Sequence, residues 1–273
     1  MITPINDNDW FIHSRTPRLE RLEAYFGGHA YDPHRHDTYA VGVTLAGVQS
    51  FHYRGAHRHS LPGRTIVIHP DEIHDGHAGA AGGFRYRMIY IPPPVFQDVL
   101  HGQPLPFLPG GITTDPRMAQ SVVRLLRHID SPPEPLEEDD ALFELATAMN
   151  AVTGKRPPAR RFDYPAAQRA RAFIDEAPAD TTITLAQLEA VSGQNRWRLS
   201  RDFRVLFGTS PYRYLTMRRL ERFKRHVQAG KTLAQAAVDA GFADQSHMNR
   251  QFAEAYGMPP GRWFKLTRNP SDG

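Results

Sequence analysis

Two groups of polar side chains near the C-terminus have the residue types and the helical spacing needed to contact DNA. Residues three and four apart lie side by side on a helix, so each group forms one face. The first group is Arg196, Trp197, Ser200, Arg201 and Arg204, and the second is Gln245, Ser246, His247, Asn249 and Arg250. Arginine can pair with guanine, asparagine with adenine, and serine with a base or a phosphate. We therefore predict that both faces contact bases or phosphates in a major groove.

Other roles stay open for individual side chains of these faces. Arg201 and Arg250 could pair with acidic residues of the chain, and Trp197 could be half-buried in the core. Between the two faces lies a further set of arginines, which we expect to meet solvent or the DNA backbone rather than to read bases. They are Arg218, Arg219, Arg222 and Arg225.

A second kind of chemistry is open to a group of side chains in the N-terminal half: His34, His36, Tyr39 and His74. An imidazole ring can bind a metal, form a hydrogen bond with a polar effector, or have a purely structural role. We predict that these four side chains bind an effector, and we assign no metal, no cofactor and no catalytic residue. His34 and His36 differ in parity from the apolar residues that follow, so a bulge or loop must lie between them and the next strand.

An internal repeat positions the two polar faces. Five residues recur at an offset of 49: Arg201, Phe203, Gly208, Pro211 and Arg213 match Arg250, Phe252, Gly257, Pro260 and Arg262. In each copy a glycine suited to a turn, Gly193 or Gly241, precedes a helix-capping residue, Asn195 or Asp244. The repeat therefore predicts two helix-turn-helix units.

The chain divides at a basic, proline-rich stretch, TGKRPPARRFDYP, which cannot continue a helix. We place one domain at residues 1–155, a linker at 156–165 and a helical domain at 166–273. Segments such as AVGVTLAG and FRYRMIYI predict antiparallel strands in the first domain. Residues 116–152 predict two helices, which could form a dimer surface. The expected fold class is α+β with two domains.

Composition narrows the class of protein. None of the 273 residues is cysteine, which excludes disulfides, zinc ribbons and thiol nucleophiles. Residues 160–273 hold 19 Lys and Arg against 11 Asp and Glu, a net +8, so the total of +4 leaves −4 for residues 1–159. The basic half is the candidate for binding a polyanion. Since no apolar run of about 18 residues occurs, we expect a cytoplasmic protein without a membrane span.

The stretch AQAAVDAGFADQSHMNRQFAEAYGMPPGRW resembles the signature of the AraC/XylS family of transcription regulators. The resemblance covers about residues 166–266 and implies two recognition helices in successive major-groove segments, about 34 Å apart. It places DNA contacts on Trp197, Ser200, Arg201, Ser246, His247, Asn249 and Arg250. The sequence NRWRL departs from the family's serine-capped form, which affects Arg196 and Arg198.

The segments HRHDTYAVGVTLAG and SLPGRTIVIHPDEIHDG are similar to the cupin-like effector domain of many such regulators. That resemblance implies a small N-terminal β-barrel that binds a small molecule, followed by helices that dimerise. His34, His36 and His74 also resemble the metal-binding positions of catalytic cupins, but Ala40 stands where a glutamate would be.

We therefore expect a sequence-specific DNA-binding transcription regulator, not an enzyme, whose promoter binding is controlled by a small-molecule effector. Its expected partners are double-stranded promoter DNA, the effector and a second copy of the chain, with RNA polymerase as a further candidate. Two other functions stay open: a metal-dependent cupin enzyme tethered to DNA, and a DNA-binding dimer without an effector.

Overall fold

The computed structural model describes residues 9–131, 133–153, 162–179 and 181–267. The strands are β1 (Trp10–Arg15), β2 (Glu20–Phe26), β3 (His29–His34), β4 (Tyr39–Gly47), β5 (Gln49–Tyr53), β6 (Ala56–Ser60), β7 (Thr65–Ile68), β8 (His74–Ala78), β9 (Phe84–Ile91) and β10 (Ile112–Thr113). The helices are α1 (Pro93–Leu100), α2 (Pro116–Leu126), α3 (Pro135–Thr153), α4 (Tyr164–Glu176), α5 (Leu185–Ser192), α6 (Arg196–Phe207), α7 (Pro211–Gln228), α8 (Leu233–Asp239), α9 (Gln245–Tyr256) and α10 (Pro260–Thr267).

The strands form two antiparallel sheets, with the orders β1-β2-β9-β4-β7-β10 and β3-β8-β5-β6. Alternation along β9 buries Phe84, Tyr86 and Met88 on one face, as the period of two predicts. These side chains share a core with Phe26 of the first sheet and Phe51 of the second. The two sheets therefore enclose the core of a cupin-like N-terminal domain, as the sequence predicted.

Helices α1 to α3 cover the outer face of the larger sheet. Val41 of β4 and Ile89 of β9 pack in one buried cluster with Phe96 of α1, Val122 of α2 and Leu145 of α3. Helices α2 and α3 confirm the pair predicted within residues 116–152.

The C-terminal domain is helical and contains the predicted repeat as two helix-turn-helix units, α5–α6 and α8–α9. The side chain of Asn195 accepts a hydrogen bond from the Arg198 amide (3.0 Å), and that of Asp244 accepts one from the His247 amide (2.6 Å). Both predicted helix caps are thus confirmed. The first helix of each unit also begins with a Thr-x-x-Gln capping box, at Thr184 and Thr232, which extends the repeat at an offset of 48, one residue shorter than that of the second helices.

Residues 154–161, and with them most of the predicted linker, lie outside the described residues. Helix α3 ends at Thr153, and α4 begins at Tyr164 behind the capping residue Asp163. The helical part therefore starts slightly before residue 166. In the described part of the chain, no helix combines the length and the apolar character needed to cross a bilayer.

Candidate functional sites

The outer face of α6 carries the first predicted set of DNA contacts. Apolar residues, including Leu199 and Phe203, turn inward and are buried. Trp197 is 80% exposed, which excludes the half-buried core position considered for it. Arg196, Arg201 and Arg204 are exposed too, while Ser200 is partly buried.

The three arginines predicted to contact DNA from α6 have partners within the chain. Arg196 pairs with Glu189 across the turn (2.9 Å), and Arg201 pairs with its buried neighbour Asp202 (3.0 Å). Arg204 donates to the backbone carbonyl of Ser200 at 3.0 Å. A DNA contact by any of these three side chains would compete with the partner named here.

The outer face of α9 carries the second predicted set. Met248 and Phe252 are buried, while Ser246 and Arg250 are exposed. Gln245, His247 and Asn249 are partly buried. Among the described residues, Arg250 has no ion-pair or hydrogen-bond partner for its guanidinium, and it is therefore the α9 cation best placed to accept an external anion.

A cavity of about 440 Å³ lies between the two domains. Its N-terminal wall consists of β1, the turn into β2 and the segment from β3 to β4, including His34 and His36. Its C-terminal wall consists of α7, the end of α9 and Trp263 of α10. Any molecule bound there would touch both domains at once.

A network of charged side chains around the buried Lys224 spans this cavity. The Nζ of Lys224 lies 2.7 Å from Glu221 and 3.7 Å from Glu20 of β2. Arg15 of β1 also pairs with Glu221, at 2.7 Å. The ammonium group of Lys224 lies over the Trp263 ring, 5.0 Å from its centroid. The network thus joins the first two strands to α7 and α10.

For the two carboxyl groups of this network, attraction by neighbouring positive charges lowers the pKa by more than burial raises it. Burial alone would raise the pKa of Glu20, but Lys224, His13 and Arg15 together hold that pKa well below its usual value. Burial likewise acts to raise the pKa of Glu221, yet Lys224 and Arg15 lower it to about 2. Both carboxylates are therefore ionised at neutral pH.

A second set of contacts holds the recognition helices of both repeats against the N-terminal domain. Gly208 and Gly257 end α6 and α9 in the left-handed conformation, with φ of 73° and 65°. A Cβ on Gly208 would lie 2.5 Å from Pro70, and one on Gly257 would lie 2.7 Å from both the Asp32 carbonyl oxygen and the His34 ring. Only glycine fits both the backbone conformation and the space.

Three of the four predicted effector-binding residues come together, and the fourth does not. The rings of His34 and His74 are 4.1 Å apart between centroids, and those of His36 and His74 are 5.0 Å apart. The predicted irregularity is present, because β3 is bulged before His34 and His36 lies in the loop before β4.

The side chain of Tyr39 does not face the three histidines, contrary to the prediction. It is fully buried on the opposite face of the sheet, where it packs against Phe96, and its hydroxyl donates to the Pro106 carbonyl at 2.7 Å. Tyr39 is the first residue of β4, and its position directs its side chain toward α1 rather than toward the cavity.

The three histidines are neutral at physiological pH. Burial, then His74 and His36, lower the pKa of His34 well below its usual value. Burial and His74 lower the pKa of His36 to about 3, and burial lowers that of His74 to about 4. Each ring can therefore act as both a donor and an acceptor.

Sequence reasoning missed the role of α7 in joining the domains. Arg218, expected to face solvent or DNA, instead pairs with the buried Asp37 of the N-terminal domain at 2.8 Å. Helix geometry explains this position of Arg218. Arg218, Glu221 and Lys224 are spaced by three and therefore lie along one side of α7. They flank the inward-facing apolar stripe that contains Leu220 and Phe223. In the sequence, the charged residues beside this apolar stripe could have indicated that the helix packs against another domain.

Comparison with known families identifies both domains. A family model described as an AraC-like ligand binding domain matches residues 16–146, and one described as a helix-turn-helix domain matches residues 188–266. The HTH-type transcriptional regulator YbfI of Bacillus subtilis is 24% identical over 249 residues, covering 86% of this chain and 90% of that protein. An AraC-like transcription regulator of Streptomyces lividans is 36% identical over 97 residues, covering 35% of this chain and 31% of that protein.

Solved structures of ToxT from Vibrio cholerae share the fold. One matches with a TM-score of 0.66 at 9% identity, covering 92% of this chain and all of the other. A second, described as bound to an unsaturated fatty acid, matches with a TM-score of 0.62 at 11% identity and covers 97% of this chain and 98% of the other. At these identities the similarity concerns the fold alone.

Proposed function

The chain belongs to the AraC/XylS family of transcription regulators, with a DNA-binding and a ligand-binding domain, and we propose that an effector in the interdomain cavity controls its binding to promoter DNA. The position of the cavity carries this proposal. Its walls include α7, which joins the two helix-turn-helix units, and the end of α9. A bound molecule would therefore act on the relative placement of the two recognition helices.

The proposed DNA contacts are the residues predicted on the outer faces of α6 and α9. Arg250 is the leading candidate for base readout because it is exposed and its guanidinium has no partner in the described chain. Trp197, Ser246 and Asn249 would add contacts with bases or sugars. Arg196 and Arg201 would exchange their acidic partners for phosphates, which would make binding sensitive to salt.

We further propose that the effector is a small carboxylic acid with an apolar body. Apolar side chains such as Phe11, Leu22 and Met217 line part of the cavity, and its volume falls within the usual range for small-molecule sites. Arginines and lysine outnumber acidic residues in the lining, and Arg225 is exposed to receive an anion. The fatty acid bound to ToxT supports the same chemical class.

A homodimer through α2 and α3 is the proposed assembly. Leu136 and Phe143 are 73% and 60% exposed, although both are large and apolar. They lie two helical turns apart on α3 and therefore share one face. Light scattering should show a dimer for the wild-type chain and a monomer for Phe143→Glu, and a monomeric wild-type chain would exclude this assembly.

We propose that the protein is a cytoplasmic regulator that binds and releases its ligands without a catalytic step. We also propose that it contacts RNA polymerase at the promoter. Fragments of genomic DNA selected by the purified protein would supply an operator. Fluorescence anisotropy on that operator, with and without monocarboxylic acids of increasing chain length, tests the proposal. An operator affinity that no such acid changes would refute the effector class while leaving DNA binding intact.

A further inference from the structure

The outer face of the smaller sheet carries four histidines that the proposed function does not use. They are His52 of β5, His57 and His59 of β6, and His77 of β8. Phe51 and Tyr53 alternate with His52 along β5 and belong to the core, so the His52 ring points away from the core. All four imidazoles lie outside the lining of the interdomain cavity. Their role is therefore separate from effector binding.

Strand pairing brings two of these rings together above β5. His57 lies on β6 opposite His52, and His77 lies on β8 opposite Ser50, so His57 and His77 are diagonal neighbours across β5. Their Nε2 atoms are 3.3 Å apart, whereas their ring centroids are 5.3 Å apart. The two rings therefore lean toward each other, with their Nε2 edges facing.

The distance between these Nε2 atoms matches that between two ligands of one metal ion. Metal–nitrogen bonds of about 2.0–2.1 Å in a tetrahedral site place two ligand nitrogens roughly 3.4 Å apart. A direct hydrogen bond between the rings would be longer than the usual range of about 2.7–3.2 Å for an N–H donor, and it would need different tautomers in the two rings. A shared ion needs the same tautomer in both, because it accepts both Nε2 lone pairs.

The ring of His57 is confined although it is exposed. The rings of His52 and His59 flank it, each with a centroid distance of 4.5 Å. The Nδ1 of His52 lies 2.7 Å from the Asp75 carboxylate, and the Nδ1 of His59 lies 2.8 Å from the Ser50 hydroxyl. Hydrogen bonds thus hold both flanking rings, which restrict the ring between them. A ligand that is already oriented loses less conformational entropy when an ion binds.

We propose that His57 and His77 bind one divalent transition-metal ion through their Nε2 atoms, with water completing the coordination shell. Imidazole ligands favour Zn²⁺, Ni²⁺ and Cu²⁺ over Mg²⁺ and Ca²⁺. His57 is exposed and His77 is partly exposed, so an ion reaches them directly from solvent. The site therefore differs in place and in access from the buried group of His34, His36 and His74.

An ion at this position would cross-link β6 to β8. Strand β6 is the edge strand of the smaller sheet. Strand β8 pairs with β3, which contacts the end of α9 through the hydrogen bond from the Asp32 amide to the Gly257 carbonyl. Because the ion binds the folded sheet, it would stabilise the part of the N-terminal domain on which the second recognition helix rests.

The test is calorimetric titration of the full chain at neutral pH, after treatment with a chelator, with Zn²⁺, Ni²⁺ and Cu²⁺. For at least one ion, wild type should bind one equivalent more than the double variant His57→Ala/His77→Ala. Each single variant should lose the same equivalent, because one imidazole does not hold the ion alone. Both replaced side chains lie on the surface of the sheet, so we expect the variants to fold, and circular dichroism checks this.

Two control variants separate this site from other histidines. His128→Ala removes an exposed imidazole outside the sheet and should keep the equivalent. His36→Gln removes one ring of the buried group, so an ion bound in that group would be lost in His36→Gln and kept in His57→Ala/His77→Ala. The comparison of wild type with the surface double variant does not depend on the folding of His36→Gln.

Thermal unfolding gives an independent readout. A saturating concentration of the ion should raise the Tm of wild type and of His128→Ala by more than that of His57→Ala/His77→Ala. The proposal is overturned if no ion binds, if the double variant binds as many equivalents as wild type, or if either single variant keeps the equivalent. Equal increases in Tm for wild type and the double variant would also overturn it.

Discussion

The backbone amide of Asp32 donates a hydrogen bond to the carbonyl of Gly257 over 2.9 Å, and this bond ties β3 of the N-terminal domain to the last turn of α9. A backbone contact of this kind depends on position rather than on side-chain identity. It therefore transmits any displacement of β3 to the second recognition helix, provided that Gly257 keeps its close approach to the strand.

We predict that Gly257→Ala weakens the packing between the domains. The added methyl group would meet the Asp32 carbonyl oxygen at 2.7 Å, and overpacking of this kind costs about 1–3 kcal/mol. Gly230→Ala is the matched control, because Gly230 also has a positive φ, 89°, but has open space where its Cβ would lie. Urea unfolding should show the larger loss for Gly257→Ala. Equal losses would mean that backbone strain alone is responsible.

We predict that Arg250→Ala weakens specific DNA binding by about 1–3 kcal/mol and relaxes the preference at one base pair. Lys265→Ala removes the same charge from α10, outside both recognition helices, and should have the smaller effect. Anisotropy titrations on the operator and on single-base variants would measure both. Unchanged affinity and sequence preference in Arg250→Ala would refute the proposed contact.

We predict that Lys224→Met destabilises the fold by about 1–3 kcal/mol, because it leaves the partly buried carboxylates of Glu20 and Glu221 with less compensation. Glu221 lies 2.7 Å from the lysine, so adding Glu221→Gln to Lys224→Met should restore part of the loss. A double-mutant cycle measured by urea unfolding gives the coupling free energy between Lys224 and Glu221. Strictly additive losses would show that the two side chains do not stabilise each other.

We predict that acid weakens the domain interface through Glu221. The pKa of Glu221 in the folded protein is about 2, below its usual value of 4.5, so the unfolded chain takes up a proton first as the pH falls. Its stabilising contribution is complete above about pH 4.5 and is lost progressively toward pH 2. The free energy of unfolding of Glu221→Gln should fall less steeply across this window than that of wild type. Identical slopes would contradict the assignment.

The helix-turn-helix repeat was predictable because local chemistry fixes it. Asn195 and Asp244 cap their helices through bonds to residues three positions away, and Gly193 and Gly241 adopt the positive φ that their turns require. Signals of this range are fully contained in a short stretch of sequence.

The interface between the domains was not predictable in the same way. Arg218 and Asp37 are 181 residues apart in the chain, and only the docking of α7 selects one as the partner of the other. Tyr39 shows the corresponding difficulty within a sheet, because its side chain points to α1 rather than to the histidines five or fewer residues away. Residue type indicated what these groups could do, but packing decided where they do it.

Gly208 and Gly257 occupy equivalent positions in the two repeats, and each meets the N-terminal domain, one at Pro70 and the other at β3. The N-terminal domain therefore supports both recognition helices, at one point each. A substitution at either glycine would therefore change how the two recognition helices are placed relative to each other, without any change in a side chain on their outer faces.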